Sequence, residues 1–458
     1  MSDIEITVYI PNYNYDKYLD DSIKSVLDQS FKNFELIIID DGSIDNSKKI
    51  LKKYIFHKKI RIISQKNKGL VKCCNTAIRA SNGKYVLRLD ADDFLKKNAL
   101  ENFYKKIISD RDIGLVFSDY FIVDTNKHII KKNKMMNYEK NVQLLDIPSH
   151  GACSLIRKEY LLETNLYDED IDRQDGYDLW LKFFNRYKVV NINKPLWYYR
   201  QHAVSLSFDK HELLKTRSKI YNKFVKKNFN KKKKCVCVIP ARGNQIYSNC
   251  LSNKIFRGEP LIFSTIKQAL NVRKIDKIIL TTSDQKLIDI AKRKFKNKIL
   301  YHNRRQDLAI ENTQYRDAII SAINENYRKK KPDYVLILNF EYPLRESFYI
   351  EKAINCIQIF QTEKLISVNI NQNDQFYMHD GKGLRLLNNS KHNTLQLEKK
   401  IIYFETGGIS VYNFNFYKKK NWSKIKNIGH IIIDKNSAFK VNNKTDIMIA
   451  KKLMESKK

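Results

Sequence analysis

Residues 85 to 93 read Tyr-Val-Leu-Arg-Leu-Asp-Ala-Asp-Asp. A short apolar run, Tyr85 to Leu89, ends in three carboxylates, Asp90, Asp92 and Asp93. Apolar runs of this kind read as buried strands, and open α/β sheets bind their ligands beyond the carboxyl ends of the strands. Acidic side chains at such an end can hold a hard divalent cation, which in turn neutralises a diphosphate. An Asp-x-Asp by itself is equally a solvated acidic turn, so the flanking sequence has to decide.

Upstream, Ile6 to Ile10 predicts a strand and Pro11 to Asn14 a loop, after which Tyr15, Leu19, Ile23, Val26 and Leu27 fall on one helical face. A second strand, Glu35 to Ile39, runs into Asp40-Asp41-Gly42-Ser43, again a strand ending in carboxylates, with a glycine that permits a tight turn. Arg61 to Ile63, a loop at Gly69, a helix through Asn75 to Ala80 and then Gly83 lead back to the Asp90 strand. Strands alternating with helices at this spacing predict an α/β fold with a parallel sheet covered on both sides. Two acidic strand ends in one such sheet point to one cleft. Further on, Asp175 precedes the amphipathic Leu179-Trp-Leu-Lys-Phe-Phe184 and sits at a helix start, where a carboxylate serves either as an N-cap or as a reacting group.

Over roughly residues 4 to 207 the chain resembles the inverting family-2 glycosyltransferases of GT-A fold. The resemblance rests on an ordered set: Ile10-Pro-Asn-Tyr-Asn14, Ile39-Asp-Asp-Gly-Ser43, Asn67-Lys-Gly69, Leu89-Asp-Ala-Asp-Asp93, Gln174-Asp-Gly-Tyr-Asp-Leu-Trp180 and Tyr199-Arg-Gln-His202. It implies a nucleotide-sugar donor and a glycan or polyprenyl-linked acceptor. It also implies Asp90 and Asp92 as ligands of Mn²⁺ or Mg²⁺, and Asp175 as general base. Pro11, Asp41 and Asp93 would lie on the donor side, Asp41 against the base and Asp93 near the sugar. His202 would line the phosphates or close a loop over the donor, unless it is an ordinary half-buried histidine. One departure stands out: the arginine that usually precedes the position of Asn75 is Cys74 here, with Cys73 before it and Lys72 one turn-position away.

After a helical stretch (about 210 to 229) and a basic run, Lys231 to Lys234, a new α/β pattern begins with Val236-Cys-Val-Ile239, which predicts a second domain over 235–458 joined by a helical basic linker, 208–234. Helices to Leu270 and from Leu287 to Phe295, and strands at Lys277 to Leu280, Tyr334 to Leu338 and Leu365 to Val368, continue it. This half resembles the cytidylyltransferases that activate sialic and related nonulosonic acids. The matching pieces are Ile239-Pro-Ala-Arg-Gly243, Gly258-Glu-Pro-Leu-Ile262, Ser283-Asp284, Pro343-Leu-Arg345 and Glu405-Thr-Gly-Gly408. The resemblance implies two nucleotide-binding Rossmann-like domains, with CTP or a CMP-sugar as ligand of the second. Arg242 and Gly243 would approach phosphates, Lys254 would replace a missing phosphate lysine, and Asp284, Arg345 and Glu405 would line nucleotide and sugar. Where that family carries an Asp-x-Asp pair for metal, this chain has Lys440 and Asn442. A lysine there repels a divalent cation. The half is therefore either an altered enzyme or a binding or scaffolding remnant, and the alternative for the whole chain is a nucleotide-binding scaffold of a polysaccharide-synthesis complex without turnover in either half.

At 458 residues the chain is long enough for two domains with separate cores. Its seven cysteines show no zinc spacing, Cys235 and Cys237 share one strand face as packing residues, and no apolar run reaches the roughly 20 residues that span a bilayer. Free thiols without a signal peptide predict a cytoplasmic protein. The net charge of +35 points to an anionic partner. Its lysines are spread through every helix and no RNA-binding motif appears, so peripheral attachment to an anionic membrane surface ranks above nucleic acid.

Overall fold

The computed structural model describes residues 4–135, 151–171, 173–184, 186–202, 210–242, 251–308, 315–327, 331–371, 377–379, 384–386, 402–419 and 427–455. The chain divides into two compact units, Met1–Asp209 and Lys210–Lys458.

The first unit opens with β1 (Ile6–Asn12), α1 (Asp16–Leu27), β2 (Phe34–Asp40), α2 (Ser47–Lys52), β3 (Ile60–Ser64), α3 (Leu70–Ala80) and β4 (Tyr85–Arg88). Every residue of β1, β2 and β4 is buried, as expected of parallel strands covered on both faces. Helix α1 turns Leu19, Ile23 and Val26 inward at helical spacing and contributes them to the core. After β4 come β5 (Phe94–Leu95), α4 (Ala99–Ile108), β6 (Ile113–Val123), β7 (Ile129–Asn133), β8 (Leu155–Arg157), α5 (Lys158–Glu163), α6 (Asp175–Phe184) and β9 (Lys188–Arg200).

The strands form one sheet in the order β3-β2-β1-β4-β8-β6-β9-β5, with β7 on β6. The chain builds outward from β1 through β2 and β3, then returns to place β4 on the other side of β1. That reversal is a topological switch point, and the crevice it opens lies beyond the carboxyl ends of β1 and β4. Two expectations need correction. The sheet is parallel across β3-β2-β1-β4 and again between β6 and β9, but β8 is antiparallel to both β4 and β6 and β5 to β9, so the whole sheet is mixed. Pro11 is not in a loop but in β1, opposite Ile39. It is tolerated because the register with β4 ends at Tyr9, whose carbonyl accepts from Leu89 N, so no ladder donor is missed on that side.

The second unit carries a seven-stranded sheet in the order Leu300–Asn303, Lys277–Thr282, Cys235–Pro240, Tyr334–Leu338, Ile402–Asn413, Lys364–Asn371, Ile428–Ile432. Its first four strands are parallel and Ile402–Asn413 runs against its two neighbours. Cys235 and Cys237 are fully buried in its central strand, as packing residues. The helix Lys210–Asn228 packs within this unit on the helix Ser347–Phe360, through Ser218 Oγ donating to Phe348 O and Asn355 Nδ2 to Asn222 Oδ1. Among the described residues no helix is long and apolar enough to cross a membrane.

Candidate active site

Strand β4 delivers its last residue and the acidic triple to the crevice, where two buried arginines, Arg88 and Arg200, hold them. Arg88, 6% exposed, donates from Nε to Asp90 Oδ1 at 2.6 Å and from Nη2 to Asp90 Oδ2 at 3.1 Å. Its Nη1 donates to Oδ2 of Asp175, the first residue of α6. Residues 87 positions apart in the chain are thus joined by one guanidinium. Asp175 is itself the first residue of α6, so the cap position falls on Gln174. Helix α6 starts just after Gln174, which takes up a left-handed φ of 59°, and the turn aims the Asp175 carboxylate at β4.

Gly151 makes room for that encounter. A Cβ at this position would stand 2.8 Å from Asp175 Oδ2, 3.1 Å from Gly176 Cα and 3.2 Å from Arg88 Nη1. Gly151→Ala is therefore expected to push the Asp175 carboxylate aside and cut turnover on the order of tenfold to a hundredfold with little loss of donor affinity. Steady-state kinetics beside a binding titration measures both.

Asp92 and Asp93 are held by β9. Arg200, 1% exposed, donates from Nε to Asp92 O at 2.8 Å, from Nη1 to Thr125 O at 2.9 Å and from Nη2 to Asp21 Oδ2 at 3.1 Å. Its backbone N–H donates to Asp93 Oδ1 at 2.9 Å. The other Asp93 oxygen is buried with no hydrogen-bond partner among the described residues. Burial, with the charges of Asp92 and Asp90 beside it, pushes the Asp93 carboxyl well above the usual carboxylate range. Asp90 is raised too, by burial first, with Arg88 opposing and Asp92 and Asp175 adding to it. His202 Nε2 lies 2.9 Å from Asp92 Oδ2, and its ring stacks on Tyr18 at 5.6 Å. The structure thus gathers Asp90, Asp92, Asp93, Asp175 and His202 at one place.

Asp41 stands at the end of β2, 3% exposed, but its carboxylate is engaged within the chain. Oδ1 accepts from Gln65 Nε2 at 2.6 Å and Lys68 N at 3.0 Å, and Oδ2 from Gly69 N at 2.9 Å. It therefore anchors the 65–69 loop over the crevice. Gly42, at φ 79°, lets that loop pass, since a Cβ there would meet Asn67 N at 2.9 Å. Asn75 does comparable work on the other side: its amide brackets Tyr167, donating to the carbonyl at 3.0 Å and accepting from the N–H at 3.1 Å, and so fixes the approach to Asp175.

Three features escaped the sequence reading. Arg88 was counted within an apolar run, although an arginine inside a buried strand directly ahead of carboxylates is itself a signal of pairing. Arg200 was noted only as part of a motif. Gly151 gave no signal, because its need arises from packing between distant segments.

In the second unit the implied nucleotide residues are largely committed elsewhere. Asp284 is the N-cap of the helix Gln285–Phe295, its Oδ1 accepting from Leu287 N at 3.1 Å and its Oδ2 from Asn253 Nδ2 at 2.9 Å. Replacing it with Ala should cost about 0.5–2 kcal/mol of stability, the usual worth of a cap, as measured by urea unfolding. Arg345, 2% exposed, spends its guanidinium on Asn339 O at 3.2 Å, Thr265 Oγ1 at 3.2 Å and Gly408 O at 2.5 Å, and burial lowers it to about 10. Its Nε is buried with no hydrogen-bond partner among the described residues. Glu405 is exposed and faces Lys364 Nζ at 3.5 Å. Lys254 is exposed beside the hairpin of Ile255–Phe256 and Glu259–Pro260. Arg242 lies within electrostatic reach of Tyr315 and Arg304, and Gly243 falls outside the described residues. Lys440 and Asn442 are exposed, and Lys440 offsets the burial-raised carboxyl of Glu341.

A family model described as glycosyl transferase family 2 matches residues 7–163, inside the first unit. An uncharacterized glycosyltransferase of Methanocaldococcus jannaschii is 33% identical over 203 residues, which is 43% of this chain and 70% of that protein. A chondroitin synthase of Escherichia coli is 31% identical over 217 residues, covering 46% of this chain but only 31% of the synthase, so this chain spans less than a third of its length. Among solved structures, residues 1–349 of S. aureus TarS in complex with UDP align over 49% of this chain and 67% of that one, at 18% identity and a TM-score of 0.40.

Proposed function

The chain belongs to glycosyl transferase family 2 and is a transferase, and from that premise we propose that its first unit moves a sugar with inversion from a nucleoside-diphosphate donor to a hydroxyl of a surface-polysaccharide or polyprenyl-linked acceptor. The observation that carries this reading is the meeting of Asp175 with the Asp90 cluster through Arg88. In that reaction Asp175 takes the acceptor proton as the acceptor oxygen bonds to the anomeric carbon. The bond from that carbon to the diphosphate oxygen breaks on the opposite face, and the nucleoside diphosphate leaves.

The residues at the end of β4 fit a divalent cation. Asp90, Asp92 and Asp93 follow one another after β4, one buried Asp93 oxygen has no hydrogen-bond partner among the described residues, and carboxylate oxygens suit Mg²⁺ or Mn²⁺. Asp92, with Asp90 and His202 beside it, would hold the ion, and when bound it would supply counter-charge to the leaving diphosphate. Asp41 and the loop it anchors, with Pro11 at the end of β1, would frame the base.

For the second unit, taken as a separate domain, we propose a scaffold rather than a working nonulosonic-acid cytidylyltransferase. A lysine at 440 and an asparagine at 442 are poor metal ligands, and the Asp284 carboxylate already caps a helix. Calorimetric titration with CTP and Mg²⁺ that found metal-dependent binding, followed by CMP-sugar formation, would reverse this. The charge of +35 supports attachment to an anionic leaflet, where such an acceptor would be found. Flotation with phosphatidylserine vesicles but not with neutral ones is the expected result. The transfer itself is tested by proton NMR of the product, where an anomeric configuration opposite to the donor's is expected and a retained one would contradict the proposal.

A further inference from the structure

We propose that Arg88 is the positioning residue of this centre, a buried guanidinium that sets the separation of Asp90 from Asp175 and so aligns the leaving diphosphate with the attacking hydroxyl. The proposal rests on the transferase reading above. Two of its donors form a fork on Asp90, at 2.6 and 3.1 Å. A bidentate pair fixes the guanidinium plane, and the direction of the remaining Nη1 donor is then fixed as well. That donor holds Asp175 Oδ2. The two carboxylates come from different elements, the loop after β4 and the first turn of α6, and a rigid bridge turns two independent positions into one.

The surroundings are shaped to this side chain. Gly151 lacks the Cβ that would sit 3.2 Å from Nη1. Cys74 on α3, fully buried, lies within electrostatic reach of the guanidinium and offers only a small side chain. Burial pushes its thiol up to about 12, so it stays neutral and leaves the arginine's charge to the carboxylates. A cation absent at position 74 is thus present at position 88, directed into the same cluster from the neighbouring strand. Charge neutralisation alone does not account for this arrangement, because a buried ion pair gains little over apolar packing of the same volume. Control of geometry does.

Three variants of the full chain test it: Arg88→Lys, Arg88→Leu and the exchange Cys74→Arg with Arg88→Leu. Nucleoside-diphosphate release from UDP-N-acetylglucosamine and GDP-mannose gives kcat and KM, calorimetry with UDP or GDP and Mn²⁺ gives binding, and thermal melts report folding. Arg88→Lys keeps the charge but not the fork. It should melt near the parent and keep donor KM within about threefold, while kcat falls on the order of a hundredfold, the usual cost of misplacing reacting groups. The exchange should melt above Arg88→Leu and regain about tenfold of the lost turnover. Should Arg88→Leu fail to fold, the lysine variant and the exchange still decide. A kcat for Arg88→Lys within twofold of the parent, or an exchange variant no better than Arg88→Leu, would overturn the proposal alone. A parent silent toward every nucleotide and donor would instead sink the transferase reading, and the proposal with it.

Discussion

Asp175→Asn is expected to lower turnover by about 10²–10⁴-fold while nucleoside-diphosphate affinity stays within a few-fold of the parent, the size of a lost general base. The substitution is nearly isosteric, so α6 should still begin at the same residue, and the amide oxygen can still accept from Arg88 Nη1. What disappears is the capacity to take a proton from the acceptor hydroxyl. The proposed donor contacts, on the Asp92 and Asp41 side, would not be touched. Steady-state kinetics and a titration on the same sample separate the two effects. Parallel loss of binding and turnover would assign Asp175 to the donor rather than to the proton.

The largest effect on folding is expected at Arg200. Its side chain is 1% exposed, bonds two backbone carbonyls and Asp21, and lies over the rings of Tyr18 at 4.5 Å and Phe94 at 5.4 Å. Arg200→Met fills much of the volume but takes the side-chain donors from Asp92 O and Thr125 O, and it removes a charge that opposes the rise of the Asp93 carboxyl. The expected loss is about 3–5 kcal/mol from the first unit, the range for breaking a buried charged pair. Urea unfolding followed by the fluorescence of Trp180 and Trp197, both buried in that unit, measures it. A loss below about 1 kcal/mol would mean that water replaces the lost bonds and that Arg200 is not a pillar of the site.

How much of this could be read from the residues depends on what each feature requires. The strands β1, β2 and β4 were legible because parallel strands in a covered sheet leave continuous apolar runs, and the carboxylates after Ile39 and Leu89 marked their ends. Strands β8 and β5 were not, because β8 is three residues long and β5 two, too short for a period to register. Acidic residue types announced Asp90, Asp92 and Asp175 as candidates. Their joining through Arg88 did not show, since it spans two loops and depends on a missing Cβ at Gly151. Asp284 and Arg345 illustrate the opposite case. Both sit where a motif suggests a ligand contact, yet a helix N-terminus claims one and backbone carbonyls the other. Motif position alone does not distinguish a ligand-facing polar group from one the fold has already satisfied.

The central claim is that the cluster at the end of β4 binds the diphosphate of a sugar donor with the help of a divalent ion. Calorimetric titration of the full chain with UDP, GDP, dTDP and CDP, with and without Mn²⁺, tests it most directly. The account predicts that one diphosphate binds only when Mn²⁺ is present and that Asp92→Asn abolishes this binding. Metal-independent binding unchanged by Asp92→Asn, or no binding of any diphosphate, would contradict it.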